Sequence, residues 1–207
     1  YTTYHGNFTA LNCSFISNFS WYGGAIYMNN ESTPSLNNCI FSYNSTGAYE
    51  GGAIYIYNCN PNISNCQFNN NYAETSGGAI YDRSSETNLT SCMFTNNKAI
   101  SLGGAICTLD SESNYYNNEF KSNVADFNGG AIHIRGETSG DIEVARCKFF
   151  NNTAKNDGGA IYITGGLINY IYPQIIDCEI INNIALNNGG GIGHRNKTKP
   201  TYATCLI

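Results

Sequence analysis

Apolar residues in this chain recur as short clusters a fixed distance apart, and the clusters are separated by Gly and Asn. Gly-Gly-Ala-Ile begins at Gly23, Gly51, Gly77, Gly103, Gly129 and Gly158, and Gly-Gly-Gly-Ile at Gly189, at intervals of 28, 26, 26, 26, 29 and 31 residues. Ten to twelve residues before each copy lies Cys-x-Phe-x-x-Asn, beginning at Cys13, Cys39, Cys66, Cys92 and Cys147, with variant copies at Asn118 and Cys178. A third apolar position stands three residues before the Cys column, at Leu36, Ile63, Leu89, Tyr115, Val144, Ile175 and Tyr202. Helical repeats would place apolar residues three and four apart, whereas these pieces are short and bounded by Gly and Asn, so each period reads as three strands.

A period near 26 residues with three strands is one rung of a solenoid, in which each strand pairs in parallel with its counterparts above and below. The expected fold is therefore all-β: a right-handed, three-sided parallel β-helix of about eight rungs, with handedness taken from the usual chirality of parallel crossovers. Residues 1–207 read as a single domain. Alternation along a strand points the Ile column (Ile26, Ile54, Ile80, Ile106, Ile132, Ile161, Ile192) inward and does the same for Cys and Phe. The Asn three residues after Phe falls at a corner, where left-handed dihedrals are tolerated and stacked amides can form a ladder. The paired glycines fit the next corner, which needs positive φ or close backbone approach. Thr2-Thr3-Tyr4 fits the place of Ala-Ile-Tyr in a first rung, and Cys205-Leu206-Ile207 begins another Cys-x-Phe strand, so the piece is expected to be a segment of a longer solenoid or the protomer of a fibre.

The two strings together resemble the Gly-Gly-Ala-Ile and Phe-x-x-Asn repeats of chlamydial polymorphic outer membrane proteins, and similar repeats occur in adhesin-like surface proteins of methanogenic archaea and some protists. The resemblance covers essentially every rung and implies a right-handed β-helical passenger used in adhesion. Residues 1–207 depart from the chlamydial pattern in that no membrane β-barrel is expected within them.

Composition narrows the function. The chain has 32 Asn and 22 Gly but only 12% charged residues and a formal charge of -5, which offers nucleic acid no basic patch. No run of 18 apolar residues exists, so direct membrane insertion is not expected. Seven of the nine cysteines follow the repeat column; they form either a stack of buried thiols or cross-links between rungs. Cys59 and Cys66, which flank the Pro61 loop, are the candidate disulfide. There is no Cys-x-x-Cys, and His5, His133 and His194 fall on different rungs, so neither metal nor cofactor is expected. Nine Asn-x-Ser/Thr sequons occur. Asn18 and Asn44 belong to the ladder and should be inaccessible, whereas Asn7, Asn30, Asn62, Asn88, Asn151 and Asn196 read as outward acceptors for N-linked glycan.

Polysaccharide lyases and hydrolases on β-helices need carboxylates clustered on one face of neighbouring rungs. Asp82, Asp110, Asp126, Asp141, Asp157 and Asp177 sit at different repeat positions. Gly193-His194-Arg195 resembles part of a polygalacturonase site without its carboxylate partners, so no catalytic residue is assigned and no enzyme is expected. The outward column after the Ile carries Tyr27, Tyr55, Tyr81, His133 and Tyr162, which could hold sugar rings or a partner protein or simply stabilise the sheet. The resulting expectation is a non-enzymatic, secreted or cell-surface shaft, structural or adhesive. Its partners would be further rungs or copies of itself end to end, together with cell-surface glycans or proteins. The alternative is a polysaccharide-binding or polysaccharide-degrading β-helix protein.

Overall fold

The computed structural model describes residues 2–4, 7–136, 142–166 and 169–207. The chain winds into a parallel β-helix with no helix among the described residues. Every strand pair is parallel, and each sheet is ordered by rung. One eight-stranded sheet runs from Thr2–Tyr4 to Ile192–Arg195 and carries the Ile column; a second runs from Thr9–Leu11 to Thr201–Ala203 and carries the Leu column. A seven-stranded sheet, Ser14–Ile16 to Glu179–Ile181, carries the Phe column. To the expected three strands per rung the structure adds a fourth of two residues, from Phe19–Ser20 to Ile184–Ala185, just after the Asn ladder. The first strand sits two residues from its expected register, since Thr2 pairs with Tyr27 and Tyr4 with Asn29.

Inside the coil, like stacks on like. Ile54, Ile80, Ile106, Ile132 and Ile161 are buried in register, and the rings of Phe41, Phe68, Phe94, Phe120 and Phe149 stack at centroid separations of 4.6–4.8 Å. The Asn ladder runs from Asn18 through Asn44, Asn71, Asn97, Asn123 and Asn152 to Asn183, each amide donating to the next carbonyl oxygen at 2.9–3.0 Å. From Asn44 onward each side chain also accepts the backbone N–H of the Asn one rung earlier and donates to a Phe-column carbonyl, so a wholly buried amide is fully bonded.

The left-handed dihedral belongs to the residue before each ladder Asn, which corrects the sequence expectation. Tyr43, Asn70, Asn96, Ser122, Asn151 and Asn182 all have φ of 55–57°. The chain reverses there and delivers the next Asn inward with ordinary backbone. The paired glycines behave as expected: Gly77 has φ 66°, and a Cβ on Gly78 would collide with the Gly104 carbonyl.

The cysteines form a second ladder, at the corner between the Leu and Phe sheets. The backbone N–H of Cys39 donates to the Cys66 sulfur and that of Cys66 to the Cys92 sulfur, both at 3.4 Å. Asn118 replaces Cys in this column and does the same work with a stronger group: its Oδ1 accepts the Cys92 N–H at 2.8 Å, and its Nδ2 donates to the Leu89 carbonyl. The nine thiols are all unpaired. Cys59 and Cys66 are not joined, because the strand Asn62–Ser64 separates them and puts Cys59 in a different corner column, against Ser32 and Ser85.

Candidate binding face

The column after the Ile residues lies on the outer face of its sheet, but it is not an open platform. Tyr27, Tyr55 and Tyr81 stack face to face at 5.2 and 5.3 Å, and His133 stacks on Tyr162 at 5.6 Å. The turn segments that lead into the paired glycines fold over them: Tyr22 meets the Tyr27 and Tyr55 rings edge-on, and Leu102 packs on the same small cluster. Tyr55, Tyr81, His133 and Tyr162 are therefore only 2–8% exposed, and Tyr27 is partly exposed. Their ring faces are occupied by one another, which withdraws them as a sugar-stacking surface and makes the column a second, minor core.

Electrostatics follow from this burial. Desolvation, with Glu50 adding to it, pushes the Tyr55 phenol up to about 12, and burial likewise raises Tyr81. Cys107 is raised to about 12 by burial and then by Glu50, while His133 is held down to about 3 by burial and then by Arg135. The Cys107 sulfur and His133 Nδ1 lie 3.8 Å apart, so this pair is a neutral thiol beside a neutral imidazole, without the thiolate that nucleophilic chemistry needs.

Of the aspartates expected to be dispersed, Asp82, Asp126 and Asp157 lie in separate places, whereas Asp110 shares a groove with Glu31, Glu86 and Glu112. Asp82 is fully buried inside the coil, where Ser113 donates to it at 2.7 Å, Ser111 at 3.3 Å and Tyr115 at 3.4 Å; burial raises its pKa against the pull of those hydroxyls. Asp82 occupies a core site filled by Met28 and Ile56 in the rungs before it. Asp126 pairs with Lys98 and Lys155. His194 bonds Thr198 at 3.1 Å and shares a cleft with Asp157 and Arg195. His5 and Asp141 lie outside the described residues. Among the described residues, no three His, Cys, Asp or Glu side chains converge on a point that could hold a metal.

Two grooves missed by sequence reasoning lie beside the Ile sheet. One, of about 550 Å³, carries Glu31, Glu86, Asp110 and Glu112. The other, of about 540 Å³, carries Arg135 and Arg195 with Phe127 and Tyr162. Both arise where residues distant in sequence share a register across rungs, so no local motif announces them.

Of the six expected glycan acceptors, Asn62 and Asn88 are exposed and directly paired on the Leu sheet, and Asn7 and Asn151 are also exposed. Asn196 is exposed as well, and Asn30 is half-buried. Asn44 is buried, whereas Asn18, the first of the ladder, is exposed, contrary to expectation.

A family model described as right handed beta helix region matches residues 1–176. The chain belongs to the right-handed β-helix family. Neither a curated protein nor a solved structure matches it. This right-handed β-helix thus takes its hand from the family and its register from the Ile, Phe and Asn columns. Among the described residues, no helix is long and apolar enough to cross a membrane.

Proposed function

We propose that the chain is a non-enzymatic extracellular shaft, structural or adhesive, that holds side chains and glycans at rung intervals on a cell surface. One observation carries this reading: the Phe stack and the Asn ladder continue from rung to rung without a break, so the interior is given over to rigid stacking. The exposed sequon residues Asn7, Asn62, Asn88, Asn151 and Asn196 suit an extracellular setting, and the likeness to polymorphic outer membrane protein repeats adds adhesion. Its partners in this reading are further rungs or copies of the chain along the axis, and cell-surface glycans or proteins along the sides.

The test has two arms on the purified chain. Incubation with a panel of acidic and neutral polysaccharides is expected to release no product, and beads coated with the chain are expected to adhere to cells above uncoated beads. Turnover abolished by Asp82→Asn or His194→Ala would overturn the non-enzymatic reading; coated beads that adhere no better than bare ones would remove adhesion and leave a structural shaft. Polysaccharide binding is the second reading, and the two grooves beside the Ile sheet favour it.

A further inference from the structure

The outer column of the Ile sheet changes character at two neighbouring rungs. Tyr27, Tyr55 and Tyr81 stack in sequence and His133 stacks on Tyr162, but Cys107 stands between the two stacks. Cys107 and His133 are register partners, 4% and 2% exposed, with the sulfur 3.8 Å from Nδ1. A cysteine fills far less of this position than a tyrosine ring does. A cavity of about 70 Å³ adjoins it, lined by Glu50, Ser76, Tyr81, Leu102, Cys107 and His133 among others. A thiol and an imidazole therefore meet beside a small space under the turns that cover the column.

This pair selects a cation. Thiolate sulfur is a soft donor that favours copper(I), and imidazole nitrogen also suits copper. A cation bonded to both, ~2.3 Å from sulfur and ~2.0 Å from nitrogen, spans the 3.8 Å separation at an angle of about 120°, which is trigonal rather than tetrahedral. Zinc takes four ligands, and among the described residues no third His, Cys, Asp or Glu converges with the pair. Charge points the same way. One thiolate and one monovalent cation cancel, whereas a divalent ion would leave a net charge on two nearly buried groups. Glu50 and Arg135 line the same cavity with opposite charges and do not tip that balance. The other thiols are placed differently: Cys66 donates to the Ser64 carbonyl at 3.1 Å, and Cys59 lies against Ser32 and Ser85. We propose that Cys107 and His133 bind one copper(I) ion, the sulfur as thiolate and the imidazole through Nδ1. Binding breaks the Cys107 S–H bond and releases its proton to solvent. Lone pairs on the sulfur and Nδ1 form the two bonds to copper, whose oxidation state does not change, and the ring proton stays on Nε2. The cavity exceeds the ~30 Å³ share of one water, so a third, small ligand can enter from solvent.

The test titrates the chain under argon with copper(I) buffered by bicinchoninate, in a background where Cys13 and Cys205, the two partly exposed thiols, are replaced by serine. One copper per chain is expected to survive desalting, and zinc(II) offered in the same way is expected to be lost. Cys107→Ser and His133→Gln should each weaken copper binding at least tenfold. Cys59→Ser should leave it unchanged, since serine already fills that column one rung to either side, at Ser32 and Ser85. X-ray absorption of the copper-loaded chain, which needs no variant at the site, should show one imidazole nitrogen and one protein sulfur on the metal. The proposal is overturned if no copper is retained, if the copper has sulfur neighbours alone, if zinc binds as tightly, or if folded Cys107→Ser or His133→Gln holds copper as well as the parent. Each of these outcomes leaves the bead-adhesion result standing, so the two readings fail separately.

Discussion

Replacing Asn97 by Ala removes one step of the amide ladder at mid-stack. Asn97 is fully buried and makes four side-chain bonds: it accepts the Asn71 N–H at 3.0 Å and the Asn71 amide at 2.9 Å, and donates to the Phe68 carbonyl at 2.9 Å and to Asn123 Oδ1 at 3.0 Å. Some partners survive the change. Asn123 Oδ1 keeps the Asn97 N–H, and the Asn71 amide keeps one bond to the Phe41 carbonyl. The Asn71 N–H and one Asn71 amide hydrogen are left buried without an acceptor. At ~1–3 kcal/mol for each orphaned donor, Asn97→Ala should cost about 2–6 kcal/mol. Asn96→Ala provides the control, because Asn96 is exposed and its φ of 55° makes alanine there strained by only about 1–2 kcal/mol. Urea unfolding followed by far-ultraviolet circular dichroism measures both. If Asn97→Ala costs no more than Asn96→Ala, the ladder is not a main determinant of stability and the reasoning fails.

The remaining expectations concern titration and thiols. His133 is neutral in the folded chain, with its pKa held down to about 3, so its contribution to stability is complete above pH 6.5 and is lost as pH falls from 6.5 toward 3; its ring protons should show no NMR titration step between pH 8 and 5, and a step near 6.5 would contradict its burial. Asp82 has the opposite sign. Its pKa is raised above the ordinary 3.8, so its contribution is complete below that value and declines as pH rises; Asp82→Asn should therefore reduce the stability lost between pH 4 and pH 7, and an unchanged pH profile would refute this. Without reductant, the denatured chain should titrate nine thiols with a disulfide-exchange reagent and the folded chain only the partly exposed Cys13 and Cys205; fewer than nine would reveal a disulfide.

Strict recurrence made the architecture legible in sequence. Ile80 and Asn97 repeat at one place in rung after rung, and Phe94 does so until Ile180 takes its place, because a residue that must stack on its own kind has little freedom to vary. The fourth strand left a fainter trace, an alanine two residues after five of the seven ladder Asn (Ala73, Ala99, Ala125, Ala154, Ala185), because two residues are too short to show alternation. The corner chemistry was blurred because neighbouring Asn residues divide the work: Asn96 supplies the left-handed turn and Asn97 the ladder. The covering of Tyr55 and Tyr81 was hidden for a different reason. Tyr22 and Leu102 lie in turn segments outside both repeated strings, and their packing is set by the path of the turn. The groove arginines were invisible singly, since Arg135 and Arg195 are 60 residues apart and come to line one groove only through register.

Electron tomography of intact cells from the native source, labelled with gold-conjugated antibody to this chain, tests the extracellular shaft most directly. The account predicts gold along thin rods that project from the cell surface, and gold confined to the cell interior would contradict it.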